Sequence, residues 1–215
     1  HLLCLAVYMI PILTYTFSTL PEEHQYEANR VAVLDESHIM SDGNKDVNGD
    51  DVSLQTIFTN DYWGRPMNSP SSHKSWRPLT VLSFRWLTTF KAAQPARQLL
   101  IHRLFNVVTH AVIAELVGVL AVQLVLGYLP LVPQQNNALY LQVLHGITKA
   151  LFILHPTHVE VTANAANRPH LLAALCAVLL CHPKLPFSLF LVVLVSGYLC
   201  AETFLFTLPP ILITM

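Results

Sequence analysis

LFNVVTHAVIAELVGVLAVQLVLGYLPL, residues 104–131, carries one formal charge, Glu115, in 28 positions. About 20 predominantly apolar residues suffice to cross a bilayer core, and a run this long and this poor in charge reads as a membrane helix. Its neighbours repeat the pattern. Residues 2–20 and 185–201 hold no formal charge, and 171–181 continues the same kind of run. Over the whole chain 12% of residues are charged and 53% hydrophobic, where a soluble domain has about 25% charged. The expected fold is an all-α polytopic membrane protein.

Charge is segregated. Ten of the 13 acidic residues fall between Glu22 and Asp61, and the other three, Glu115, Glu160 and Glu202, lie in or beside apolar runs. Intramembrane carboxylates are costly and usually face a bundle interior or a polar cavity. Basic residues crowd 65–103, but no nucleic-acid-binding module accompanies them, so a nucleic-acid partner is excluded. The four cysteines show no Cys-x-x-Cys spacing, which signals neither zinc nor a disulfide framework. The chain opens and closes inside apolar runs, as a fragment does. Residues 2–20 are long for a signal-peptide core and read as a retained anchor.

The expected organisation is a first helix over 1–20, a loop over 21–98, and helices two to five or six over 99–215. A loop of that length is suspected of function. Within it, 79–90 is amphipathic and suited to a membrane surface. Residues 44–50 resemble a calcium loop, but Asn44 and Gln55 stand where that loop has Asp and Glu. No metal is expected. Helix two carries His102, Asn106 and His110, four apart and so on one face. They form either an interhelical hydrogen-bonding seam or the wall of a polar cavity. Helix alternation puts His155, His158, Glu160, Arg168 and Glu202 at the same end as the long loop. Lys and Arg counting does not orient the chain, because long loops escape the positive-inside rule.

Leu34-Asp35-Glu36, the stretch Ile57-Phe58-Thr59-Asn60-Asp61-Tyr62-Trp63-Gly64-Arg65-Pro66-Met67, and the block from Ser72 to Arg85 resemble the first loop of one family. It is that of the transmembrane and tetratricopeptide-repeat-containing protein O-mannosyltransferases. His155-Pro156-Thr157-His158-Val159-Glu160 and residues 168–174 resemble its next block. The resemblance implies a GT-C-like helical bundle, multi-pass in the endoplasmic reticulum membrane, with the first loop lumenal and the repeat domain outside this stretch. It implies transfer of mannose from dolichyl-phosphate mannose, without a cofactor, to Ser or Thr of cadherin-like acceptors. Asp35-Glu36 replaces the family's usual Asp-Asp, and Cys200-Ala201-Glu202 replaces its Ser-Lys-Glu.

Transfer to a hydroxyl needs a base, and a carboxylate can serve. The expected catalytic pair is Asp35, as base, with Glu36 assisting or orienting it. The leaving lipid phosphate needs cations. Lys74, Arg77 and Arg168 are the candidates, with His158 behind them. His102, Asn106, His110, His155, Glu160 and Glu202 are expected to support a polar cavity. An ion-coupled transporter and a non-catalytic scaffold are the competing readings, the second favoured by Ala201.

Overall fold

The computed structural model describes residues 35–40, 43–90, 95–128, 137–183 and 185–209. The expected first helix lies outside them. The described residues form nine α-helices, two 3₁₀ turns and no strand. Fold class is therefore all-α, as expected. The helices are α1 Glu36–Met40, α2 Lys45–Asn48, α3 Leu54–Thr59, α4 Pro78–Thr88, α5 Pro95–Tyr128, α6 Asn137–Ile153, α7 His158–Ala163, α8 Arg168–Leu180 and α9 Phe187–Cys200.

Pro95 opens α5, where its missing N–H costs nothing and its fixed φ suits a helix start. The helix has 34 residues and, at 1.5 Å per residue, is about 51 Å long. Its segment Arg97–Gly127 holds an 18-residue window of mean hydropathy 2.0 and is the one helix, among the described residues, long and apolar enough to cross a membrane. The remaining apolar helices, Ala138–Ile153, Ala165–Leu180 and Phe187–Cys200, are shorter than that. The first and last of these nevertheless turn large apolar side chains outward: Leu139, Leu151, Phe187 and Val192 are all more than half exposed. α5 packs against α6 and α8, and α9 packs against α8 and α4.

The long loop is folded. Ile39, Val47, Ile57, Tyr62, Val81 and Phe84 form a core that also takes in Leu99 of α5 and Ala165. α4 supplies much of it because its apolar residues recur on one face. Trp86 and Phe90, on the opposite side, are exposed and meet edge to face at 5.5 Å. The calcium-like segment forms α2, and its Asp46 accepts both hydrogen bonds of the Asn60 amide, at 3.2 and 3.0 Å. Burial raises the Asp46 carboxyl above its ordinary range, with the Asn60 amide acting the other way.

Two glycines shape the surroundings of the site. Gly64 has φ +78°, and a Cβ there would lie 2.7 Å from Asn44 Oδ1. A left-handed conformation costs an ordinary residue about 1–2 kcal/mol. Gly64→Ala should therefore lower stability by at least about 1 kcal/mol, read as a shifted denaturant midpoint. Gly197 lets α9 receive the ring of Phe204, which a Cβ would meet at 2.5 Å. Phe204 is buried, and its return onto α9 fixes the 3₁₀ turn Glu202–Thr207 that carries Glu202.

Candidate active site

The loop between α3 and α4 is organised by Asp61, a residue that sequence reading gave no role. Its Oδ1 accepts the N–H groups of Trp63 (3.0 Å) and Arg65 (2.9 Å). Its Oδ2 accepts the Ser72 hydroxyl (2.7 Å) and the His73 N–H (3.1 Å). One carboxylate thus closes the turn Trp63-Gly64-Arg65-Pro66 and holds the strand-like approach to Lys74. Tyr62, next to it, donates its hydroxyl to Ala166 O at 2.9 Å and so ties the loop to the start of α8.

Asp35 and Glu36 part company. Asp35 is exposed at the head of α1, whereas Glu36 is wholly buried. Arg103 of α5 donates from Nε to Glu36 Oε1 (3.0 Å) and from Nη2 to Oε2 (2.6 Å), while the Ala165 N–H donates to Oε1 at 2.6 Å. This arrangement leaves Glu36 no room to handle a substrate proton, so of the two expected catalytic carboxylates only Asp35 faces outward. Arg103 was missed as a partner. An arginine set among the apolar residues of the first turns of a helix was the signal, since such a charge needs a partner. Burial raises the Tyr62 phenol, and the charges it feels include Arg168, Arg77 and Asp35. These groups therefore share one neighbourhood.

Of the expected phosphate cations, two are accessible. Arg77 sits 5.3 Å over the Tyr62 ring and donates from Nε to Glu202 Oε2 at 2.9 Å. Lys74, at φ +60°, donates Nζ to the carbonyls of Met67 and Ser69. Lys74 and Glu202 line one cavity of about 790 Å³ together with Phe58, Met67, Trp76 and Tyr198. Arg168 corrects expectation. It is fully buried, between the rings of Phe84 (4.0 Å) and Phe105 (4.6 Å), and donates to Asn106 Oδ1, His102 O and Ser83 Oγ. Its guanidinium can act on a ligand through its field and not by contact.

The helix-two stripe likewise forms a seam and not a cavity wall. His102, Asn106 and His110 are all buried. Asn106 donates to Asn164 O at 3.0 Å and accepts from Arg168, and His110 Nε2 lies 3.1 Å from His158 Nδ1. Groups from α7, α8 and the turn between them face the stripe and partner Asn106, His110 and the Nδ1 of His102. His102 keeps Nε2 buried without a partner. His155 pairs with Thr157 at the surface, and Glu160 is exposed nearby. Neither joins the Arg77–Glu202 group.

Comparison with known proteins gives first a class: the chain is similar to glycosyltransferases of the protein O-mannosyl-transferase type. It is 30% identical to the Drosophila melanogaster protein O-mannosyl-transferase Tmtc3 over 125 residues, 57% of this chain and 14% of that protein. It is 32% identical to human TMTC3 over 132 residues, 61% of the chain and 12% of the relative. It is 34% identical to the Caenorhabditis elegans protein F38B6.6 over 140 residues, 64% and 18%. The chain thus spans less than a fifth of the length of these relatives, and the similarity extends over about 60% of the chain. No family model and no solved structure matches it.

Proposed function

We propose that this chain is the membrane-embedded transferase part of a protein O-mannosyltransferase. It moves mannose from dolichyl-phosphate mannose to Ser or Thr hydroxyls of secretory proteins, cadherin-like ones among them. The bundle is GT-C-like and multi-pass in the endoplasmic reticulum membrane, and the loop domain is lumenal. The observation that carries this reading is the split fate of the carboxylate pair: Glu36 is clamped by Arg103 and Ala165, which leaves Asp35 exposed on a fixed mount. The outward apolar surfaces of α6 and α9 support a bilayer setting.

In the proposed step Asp35 takes the proton of the acceptor hydroxyl as its oxygen attacks the anomeric carbon. The bond from that carbon to the phosphate oxygen breaks, and its electron pair leaves with dolichyl phosphate. The single displacement inverts the anomeric centre. Lys74 and Arg77 stabilise the charge that grows on the phosphate, the guanidinium by a fork and the ammonium as a point charge. Ala201, buried beside Glu202, brings no cation to that end of the site, which favours a non-catalytic scaffold as the second reading.

Labelled mannose offered on a dolichol-linked donor to the full-length protein separates the two, since a scaffold transfers none. The topology has its own test. Glycosylation acceptor tags in the exposed Asp50–Asp51 and His155–Thr157 turns should both be modified, while a tag near Gln135 should not. Modification at Gln135 alone would put the loop domain in the cytosol and remove the lumenal site.

A further inference from the structure

The fold does not account for all the apolar surface of α4. Val81, Phe84 and Leu87 point into the loop domain and are buried. A second apolar stripe remains. Leu79, Leu82, Trp86 and Phe90 recur at helical spacing, on the side of α4 and its closing turn that looks away from that core. Leu79 and Leu82 are half-buried, while Trp86 and Phe90 are 55% and 58% exposed, and residues 86–90 hold no formal charge. The helix end beside them needs little water. A helix leaves its last carbonyls without intrahelical donors. Here Arg85 O accepts the Thr88 hydroxyl (2.7 Å), Trp86 O the Thr89 hydroxyl (2.6 Å) and Leu87 O the Gln98 amide (3.0 Å). Gln98 lies in the first turn of α5, so the last of these bonds fixes the patch at the mouth of the membrane-length helix. Arg97, exposed, sets a cation at the same level.

We infer that Trp86 and Phe90 are a lipid anchor, inserted into the bilayer interface beside the entry of α5 and holding the loop domain against that leaflet. The inference rests on the bilayer setting proposed above and is independent of mannose transfer. It differs from the reading of 79–90 as an amphipathic surface helix, because the main apolar face of that helix is taken up by the protein core. Aromatic rings with a polar edge favour the headgroup level. Carbonyls that already hold donors enter a water-poor region at little cost, where bare ones would not. Arg97 can reach a lipid phosphate with its head while its stem stays on apolar surface. A protein partner is the competing occupant. Such a partner could dock anywhere on the loop domain, whereas a patch tied to the mouth of α5 has lipid as its nearest neighbour. Phe84 shares the loop core with Ile39 of α1, so the anchor also sets the height of the Asp35 mount above the leaflet.

The test uses full-length protein in phosphatidylcholine vesicles whose lipid is brominated either high on the acyl chain or near its end. Trp86→Phe keeps a ring in place and removes one reporter. Wild-type emission minus that of Trp86→Phe therefore isolates Trp86 from Trp63, Trp76 and every other indole. This difference signal should be blue-shifted and should be quenched more by bromine high on the chain than by bromine near its end, as for a ring about 5–10 Å into the headgroup and acyl boundary. Adding Phe90→Trp to Trp86→Phe should restore a quenched component, because position 90 lies on the same stripe. A Trp86 signal that is blue-shifted yet unquenched would place protein over the patch, and one that emits as indole does in water would leave it bare; either overturns the inference. Protein that fails to float with the vesicles would sink the bilayer setting and the anchor with it. Quenching in a protein that transfers no mannose would leave the anchor standing and remove the transferase reading alone.

Discussion

Asp35→Asn should give a protein that folds and binds the donor lipid but transfers mannose about 10² to 10⁴ times more slowly, the usual contribution of a general base. The amide keeps the shape of the carboxylate and cannot take the hydroxyl proton. Asp35 is exposed and Glu36 carries the buried contacts of this pair, so the substitution should leave the thermal midpoint near that of the wild type. Lys74→Ala and Arg77→Ala should act differently, raising the KM for the donor along with any loss in kcat. Wild-type turnover by a folded Asp35→Asn protein would remove Asp35 from the mechanism.

Glu36→Gln should fail for another reason. The amide cannot neutralise Arg103, whose side chain is itself 2% exposed, and the buried guanidinium would lose the charge of this pair. Breaking such a pair from one side typically costs about 3–5 kcal/mol, a large part of the 5–15 kcal/mol that holds a domain together. A fall of that size in unfolding free energy, measured in mild detergent, is the expected result. Glu36→Leu with Arg103→Met should recover much of it, because two apolar side chains can replace a buried ion pair at little cost. Recovery should stop short of wild type, since the Ala165 N–H loses its acceptor. Normal stability with lost transfer in Glu36→Gln would restore a direct chemical role to Glu36.

Much of the helical frame was legible because apolar runs report burial or bilayer contact whatever the tertiary detail. The amphipathic stretch 79–90 falls on α4, the uncharged run 185–201 on α9, and most of the run 104–131 on α5. Which polar residues would face one another was not legible. Periodicity put His102, Asn106 and His110 on one face, but whether that face meets water or Arg168 depends on a chain segment more than 50 residues away. The same applies to Arg168, whose position suggested phosphate and whose partners are two aromatic rings and a seam. Asp61 was hidden because a lone loop aspartate looks solvated until the four donors around it are seen. The ring contact of Trp76 with Tyr198 joins residues that no local pattern links.

The contacts of Glu36 also bear on the order of assembly. Its two partners lie 67 and 129 residues further along the chain, and contacts of such separation form late, after the intervening segments have been placed. During synthesis from the N-terminus, Asp35 emerges early but gains its rigid mount only once α5 has inserted and the turn at Ala165 has left the ribosome. A nascent chain shorter than that holds Asp35 without the frame that fixes it, so on the proposed reading incomplete products would lack a mounted base.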